Sequence, residues 1–398
     1  MTLSMPLRRA ALAVLAAALL TGCGSTITGV PVPGEVDIRP LDIGAYPTDP
    51  LDYRNTYLHN AYYGTELAIA RLAGFVAGGW EIDPSLKRQV SADPISGARS
   101  DGTRDVRRLG NLPTEAANPI LENHGMMFGF AMAAATEPAG TGVHLTVIQF
   151  PDIESARSAA TGIEAADLAL ATENAPVALD RYPDVKAHWR PGTPALTATL
   201  AHGNYLVSVF AERHDPDLTA LRALTQQALA VQLPLLDQLP PLSAREIRRL
   251  DYDPQAMLRR TLHPESTMLP DFDKEAVFTP RGFVNATTEN WMPLIETGGI
   301  DAIARVSDGA LQFRARDTDA ATEVMTDPRY RDGQPADAPA GVPDARCTEN
   351  SSNTIAAERF TCMVRHGRYI ARVASAQLQD AKQRAAAQYG LLVNSAWM

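Results

Sequence analysis

The sequence predicts an α+β fold in which two similar, mainly antiparallel sheet-and-helix domains, related by internal duplication, follow a lipoprotein signal peptide. Three observations predict it: an apolar N-terminal run that ends in a cysteine, a hairpin pattern that occurs twice, and helical periodicity after each hairpin. The chain has 398 residues, which suits two domains, and 45% of them are hydrophobic, which is typical of a globular protein. The net charge of −10 argues against a general nucleic-acid-binding protein, because binding to phosphates requires a basic surface.

The first 22 residues resemble a bacterial lipoprotein signal peptide. Two arginines precede the apolar run Ala10–Leu20, which has 11 residues and is too short to span a bilayer of about 30 Å. The run leads into Leu-Thr-Gly-Cys, which resembles a lipobox that ends at Cys23. In lipoproteins this cysteine carries diacylglycerol after cleavage. We therefore predict residues 1–22 as signal peptide, lipidation of Cys23 and a tether over residues 23–36. The alternatives are an ordinary signal peptide with an unrelated cysteine and a buried helix.

The two remaining cysteines, Cys347 and Cys362, are predicted to form one disulfide, since an exported chain lies in an oxidising compartment. Two buried free thiols are the alternative. A zinc site is not expected, because no CxxC or paired histidine accompanies these cysteines. Cys347 lies in the loop-like stretch 335–353, and the first half of the chain has no matching cysteine. We therefore interpret the bridge as a staple on an insertion.

Two stretches of the chain, Leu196–Arg213 and Phe360–Ala376, have the same pattern. Each contains His-Gly-x-Tyr between alternating runs, and a glycine as the first loop residue favours a tight β-hairpin. An amphipathic helix pattern follows each hairpin. Before each hairpin, the sequence predicts a strand and then a helix capped by an aspartate, Asp152 in the first half and Asp317 in the second. Each half is therefore expected to contain strand, strand, helix, hairpin and helix, which indicates duplication.

The proline-rich stretch Leu233–Leu242 separates the two halves. We expect Pro234, Pro240 and Pro241 to end the preceding helix and to stiffen the link. The predicted N-terminal domain therefore covers residues 37–242, and the predicted C-terminal domain covers residues 243–398. Helices are expected to cover one face of each sheet.

No catalytic, metal-binding or nucleotide-binding motif is present in the sequence, and no cofactor is expected. His202 and His366 lie at predicted turns, where polar residues are common. The glycines at 74, 78 and 79 end a helical pattern and do not follow a strand, so a phosphate-binding loop is not expected. An enzyme whose residues meet only in the fold stays an alternative, with Asp152 and Glu154 as candidate carboxylates.

Three stretches are candidates for binding, and each has a structural alternative. Residues 91–118 form a loop-like stretch with four arginines that suit an anion or lipid head group, unless the loop is merely solvated: Arg99, Arg104, Arg107 and Arg108. A cluster of tyrosines suits sugars or protein partners, unless it covers the sheet: Tyr46, Tyr53, Tyr57, Tyr62 and Tyr63. The apolar stretch Met126–Met132 would line a lipid cavity, or be a plain core strand.

Several segments together resemble an uncharacterised group of actinobacterial envelope lipoproteins of the mycobacterial and nocardial kind. They are the lipobox, Val36–Thr48, Gly78–Pro84 and Asp251–Leu262, and the resemblance covers most of the mature chain. It implies an envelope lipoprotein with N- and C-terminal halves whose domains have no assigned function. It implies no activity and no catalytic residue.

We therefore expect a non-enzymatic binding or scaffold protein that is lipid-anchored on the extracytoplasmic face of the cell membrane, with a groove between or within its two domains. Its expected partners are the membrane, through the diacylglycerol at Cys23, and an envelope protein or lipid. Nucleic acid is not expected. A carrier of an apolar ligand such as lipid or glycolipid is the first alternative, and an enzyme is the second.

Overall fold

The computed structural model describes residues 36–52, 57–96, 110–264, 269–327, 333–351 and 355–395. The predicted signal peptide, Cys23, Tyr53 and all four arginines of the 91–118 stretch lie outside these ranges. Within them, every helix is too short or too polar to cross a bilayer.

The first half of the chain forms a seven-stranded antiparallel sheet with strand order β1-β2-β3-β7-β6-β5-β4. Its strands are β1 Arg88–Ser96, β2 Phe128–Ala135, β3 Gly142–Gln149, β4 Ala175–Val177, β5 Lys186–Trp189, β6 Ala195–His202 and β7 Tyr205–Glu212. Its helices are α1 Ala61–Ala73, α2 Gly79–Ile82, α3 Thr114–Asn123, α4 Ile153–Leu168 and α5 Leu218–Asp237.

The second half forms another seven-stranded antiparallel sheet, with order β11-β12-β13-β14-β10-β9-β8. Its strands are β8 Glu275–Phe278, β9 Ala302–Val306, β10 Ala310–Arg314, β11 Gln334–Ala336, β12 Arg346–Glu349, β13 Phe360–His366 and β14 Tyr369–Ser375. The helices are α6 Ala244–Ile247, α7 Pro280–Asn285, α8 Met292–Gly298, α9 Thr318–Thr326 and α10 Leu378–Asn394, with 3₁₀ turns at Pro254–Ala256, Leu258–Arg260 and Ala356–Glu358. Taken from β8 at one edge to β11 at the other, the strands follow the same order as those of the first sheet taken from β1 to β4. The predicted α+β class and the internal duplication are therefore confirmed.

The repeated hairpins lie where the sequence predicted them. His202 pairs with Tyr205 across one turn, and His366 pairs with Tyr369 across the other. The first turn residue is a glycine with φ of 55° in both hairpins, a left-handed conformation that a Cβ would disfavour. The His-Gly-x-Tyr pattern therefore encodes these two turns.

The predicted helix caps are also present. Asp152 accepts a hydrogen bond of 2.7 Å from Ser155 N at the start of α4, and Asp317 accepts one of 2.8 Å from Ala320 N at the start of α9. Asp152 is thus an exposed cap, and the neighbouring Glu154 side chain is 77% exposed. These two carboxylates therefore lie on the surface of a helix start and do not form the cleft pair that was considered for an enzyme.

Helix α1 joins the two sheets, because its apolar side chains belong to a core that both halves share. The rings of Phe130 on β2 and Phe272 before β8 lie 5.5 Å apart in this core. Glu66 on α1 accepts a 2.9 Å hydrogen bond from Phe272 N. The two halves are therefore held together by a continuous apolar contact with polar links.

The N-terminal segment 42–48 packs against α10 of the second half, although the predicted domain limits placed it in the first. The Asp42 carboxylate accepts hydrogen bonds from Gln379 and Gln383, at 2.7 and 2.9 Å. Tyr46 OH donates to Asp380 at 2.6 Å. These contacts join residues more than 300 positions apart in the chain. Sequence periodicity cannot predict contacts over such a separation.

Two expectations about secondary structure are corrected by the structure. Helix α5 continues through Pro234 and ends at Asp237, so this proline does not end the helix. The stretch 91–118 is not one long loop, because residues 91–96 belong to β1 and residues 114–118 to α3. β1 follows no strict alternation of exposed and buried residues, which is why its pattern was not recognised.

The disulfide is formed, but it is not a staple on an insertion. Cys347 on β12 pairs directly with Cys362 on β13, with a Cα–Cα distance of 4.1 Å. The equivalent pair in the first sheet is Ala187 on β5 and Ala198 on β6. The bridge therefore joins two neighbouring strands of the repeated unit.

Candidate functional site

A cleft of about 470 Å³ opens between the two halves of the molecule. Trp80 on α2 and Leu86 before β1 form part of one wall, and Val284 on α7 and Met292 on α8 form part of the other. Ligand sites in proteins have volumes of about 300–1,000 Å³ and are common between domains. This cleft is therefore the candidate binding site.

The position of Trp80 depends on the two glycines before it. A Cβ at Gly78 would lie 2.2 Å from atoms of the indole ring, so the ring lies directly on the backbone of this glycine. A Cβ at Gly79 would lie 2.3 Å from the Ala134 Cβ of β2. The Gly-Gly-Trp motif therefore seats α2 on the sheet and places the indole in the wall of the cleft. Contrary to expectation, Gly78 is the N-cap of the one-turn helix α2, whereas Gly74 caps the end of α1.

An ion pair between the halves holds the cleft walls together. The Glu81 carboxylate on α2 accepts hydrogen bonds from Arg281 on α7, from Nε at 2.9 Å and from an Nη at 2.8 Å. The other Nη of Arg281 donates to Gly74 O at 3.0 Å. Bidentate arginine–carboxylate pairs are stronger and more directional than single contacts. This pair therefore links helix α2 of one wall to helix α7 of the other.

We expect Arg281→Met to lower the free energy of unfolding by about 2 kcal/mol, because it leaves a half-buried carboxylate without its charged donor. Urea denaturation followed by circular dichroism measures the loss. The control is Arg222→Met, which removes an ion pair whose Asp180 partner is 81% exposed, and we expect a loss below about 0.5 kcal/mol. Equal losses in the two variants would contradict a special role for Arg281.

Polar groups lie along the rim of the cleft. They include Lys87, Glu289, Asn290 and Glu296. Among the residues that the structure describes, no ion pair joins Lys87, Glu289 or Glu296 to a partner within 4.0 Å. These side chains can therefore offer both donors and acceptors to a ligand.

A second cavity, of about 560 Å³, lies beside the cleft in the second half, and Glu289 lines both. Trp291, Arg305 and Arg372 are part of its lining. Arg372 lies 3.5 Å from Glu358. The Arg305 guanidinium lies over the Phe278 ring at 4.9 Å, and burial lowers its pKa. The cations of this cavity are thus already engaged by the protein.

Two clusters of largely buried titratable groups line neither cavity. In the first, Tyr252 OH donates to Glu275, and His263 Nε2 lies 3.2 Å from the same carboxyl oxygen. Burial raises the pKa of Glu275 to about 8 and lowers the pKa of His263 to about 4. Tyr252 and His263 are almost fully buried, so we expect this network to contribute to stability.

We expect Glu275→Gln to flatten the pH dependence of stability. The ordinary pKa of Glu275 is 4.5, so between 4.5 and 8 the folded protein keeps a proton that the unfolded chain releases. The contribution is fully present below pH 4.5 and is lost as the pH rises through 8. Between pH 5 and 8 the wild type should lose about 3–4 kcal/mol more than the variant in urea denaturation. Glu154→Gln, on an exposed side chain, should behave as the wild type, and a wild-type slope in Glu275→Gln would contradict the assignment.

In the second cluster, His188 on β5 lies between two carboxylates of helix α4, those of Glu164 and Asp167. His188 Nδ1 lies 3.1 Å from Glu164, and Nε2 lies 3.7 Å from Asp167. The carboxylates face opposite sides of the imidazole ring and do not converge on one point. Within the described ranges, no group of three or more His, Cys, Asp or Glu residues is arranged to hold a metal ion.

The residues singled out in the sequence have mostly structural contacts. His202 Nε2 lies 2.6 Å from Asp237 at the end of α5, and the His366 ring lies 5.9 Å from that of Tyr389. Tyr57 is buried and its ring lies 5.0 Å from that of Tyr252, so its use is packing. Within Met126–Met132, Met126, Phe130 and Met132 are buried in the core and line neither cavity, which favours the core-strand interpretation.

A groove between or within the two domains was expected, but its position and lining residues were not predicted, because its walls come from segments about 200 residues apart. One sequence signal for the cleft is the Gly-Gly-Trp motif at residues 78–80. The repeat of Pro-Asp at residues 183–184 and 343–344, just before β5 and β12, was a second signal that would have aligned the disulfide region.

Comparison with known proteins gives a family and matches among solved structures. No curated protein matches the chain. A match among solved structures is the extracellular domain of PknH from Mycobacterium tuberculosis, at 12% identity over 42% of this chain and 96% of that chain, with a TM-score of 0.31. The N-terminal model of the family described as domain of unknown function DUF7373 matches residues 56–252, and its C-terminal model matches residues 257–395. The chain therefore belongs to the DUF7373 family, whose function is unknown.

Proposed function

We propose that this protein is a lipid-anchored, extracytoplasmic binding protein of the cell envelope that holds a small ligand in the cleft between its two DUF7373 halves. The observation that carries the proposal is the cleft of about 470 Å³, with one wall from each half and an indole seated in it by glycines. The ion pair between Glu81 and Arg281 supports it, because a preformed cleft loses less entropy on binding.

The proposed location rests on the N-terminal sequence. The lipobox at Cys23 supports an actinobacterial-type envelope lipoprotein whose membrane partner is bound through diacylglycerol. We propose an envelope protein or lipid as further partner, no nucleic acid as ligand and no catalytic activity. Purified protein that hydrolysed an ester, peptide or glycan, with loss of activity in a cleft variant, would contradict the last point.

We expect Cys23→Ser to release the protein from the membrane, because each buried CH₂ of an acyl chain contributes about 0.8 kcal/mol to anchoring. Partition between detergent and water, together with the intact mass of the mature chain, measures this. The wild type should partition into detergent with the mass of a diacylated chain beginning at Cys23. Cys347→Ser is the matched control and should partition as the wild type. A water-soluble wild type of unmodified mass would contradict the anchor.

The binding role is tested without knowledge of the ligand. Wild-type protein and Trp80→Ala, each purified gently from the producing organism, are compared by native mass spectrometry. We expect the wild type to carry a non-covalent mass that is absent or much reduced in the variant. Equal spectra, with no bound mass in either protein, would count against a binding role for the cleft.

A further inference from the structure

We propose that the cleft and the neighbouring cavity form one extended site for a neutral oligosaccharide. This inference rests on the proposed binding function and names its ligand class. The two cavities share Glu289 on the segment between α7 and α8. With about 470 and 560 Å³, each has the size of a single small-molecule site, so together they suit a chain-like ligand.

Each cavity contains one partly exposed tryptophan. Trp80 lies on the backbone of Gly78, and Trp291 is supported by the rings of Phe283 and Phe313, at centroid distances of 6.1 and 5.3 Å. Both indoles are thus fixed from behind by the protein. Rigid aromatic faces bind ligands at low entropic cost, and the C–H face of a sugar ring packs well on an indole.

The polar groups of the rim fit hydroxyl groups better than a charged or an apolar ligand. Glu289, Glu296 and Asn290 offer acceptors, and Lys87 and Asn290 offer donors, so vicinal hydroxyls can both donate and accept. An acyl chain would bury these groups without hydrogen bonds, which is unfavourable.

An anionic head group is also disfavoured. The cleft contributes two carboxylates, Glu289 and Glu296, against the single cation Lys87. In the second cavity, Arg372 faces Glu358, and Arg384 donates to Asp380 at 2.8 Å. An anion would have to displace these contacts, whereas a neutral saccharide would add to them.

The test is calorimetric titration of the full mature chain with neutral gluco-, manno- and N-acetylglucosamine oligosaccharides of one to six units. For at least one series, we expect affinity to rise tenfold or more from one to four units as both cavities fill. Trp80→Ala and Trp291→Ala should each lower affinity for the longer oligomers at least tenfold. Gly78→Ala should act like Trp80→Ala, because its Cβ displaces the indole.

The matched control is Trp189→Phe, which should keep wild-type affinity. Trp189 Nε1 donates to Thr193 O at 2.8 Å in the first sheet, and the residue lines neither cavity. Circular dichroism and thermal unfolding confirm that each variant is folded.

Two results would overturn the inference and leave the binding function in place. One is binding of phosphatidylglycerol vesicles, a fatty acid or choline that depends on Trp80, with no saccharide bound. The other is saccharide affinity that is independent of chain length and of Trp291. The binding function itself fails if none of these probes binds and native mass spectrometry also shows no bound mass.

Discussion

Replacement of His188 by alanine is expected to lower the free energy of unfolding by about 3–5 kcal/mol at pH 6, because it leaves the buried Glu164 and the partly buried Asp167 without their common partner. His188 is 5% exposed and Glu164 is 8% exposed. Within the described residues, one Glu164 oxygen already has no hydrogen-bond partner. Without the imidazole, the carboxyl groups of Glu164 and Asp167 would face each other in a site with little water. Urea denaturation measures the loss.

The same cluster predicts a pH dependence with a defined sign. Burial lowers the pKa of His188, but the hydrogen bond to Glu164 and the charges of Glu164 and Asp167 outweigh it, so the pKa is raised above 6.5. The contribution of His188 is therefore fully present below pH 6.5 and is lost as the pH rises through the higher folded value. The difference in stability between the wild type and His188→Ala should shrink over that range.

The matched control for this prediction is His202→Ala. His202 contacts a single carboxylate, that of Asp237. The side chain of His202 is 31% exposed and that of Asp237 is 66% exposed. We expect this variant to lose less than about 1 kcal/mol, because solvent screens the pair. If both alanine variants lost the same amount, burial would not be the source of the effect at His188.

Loss of the disulfide is the second large effect. We expect Cys347→Ala with Cys362→Ala to lower the free energy of unfolding by about 3 kcal/mol, since the bridge closes a loop between cysteines 15 residues apart. Alanine is a fitting replacement, because Ala187 and Ala198 form the equivalent pair of the first sheet. Urea denaturation without reductant measures the difference.

Two further measurements check this assignment. The wild type unfolded with dithiothreitol should match the double alanine variant. Ala187→Cys with Ala198→Cys should form a new bridge in the first sheet, detected as a loss of free thiols, and should raise stability. A stability of the double alanine variant equal to that of the oxidised wild type would contradict the prediction.

Short stretches of sequence were enough to predict much of the fold. The turns at Gly203 and Gly367 and the caps at Asp152 and Asp317 involve contacts within three residues, so a short stretch of sequence contains all the groups that matter. The duplication was visible for the same reason, because two similar local patterns recur in the same order. Pro234 shows the limit of such reasoning, since the helix α5 passes through it. Packing of that helix on the sheet outweighs the local cost of one proline.

The sequence by itself determined the class of fold, the repeat of the sheet-and-helix unit, the two hairpins and the partner of Cys347. Only the tertiary structure decided where the ligand cleft lies, how Arg281 meets Glu81 and why His188 and Glu275 are buried with their partners. The physical reason is distance along the chain. Turns and caps depend on neighbouring residues, whereas burial, ion pairing and shifted pKa values depend on which distant segments the apolar core brings together.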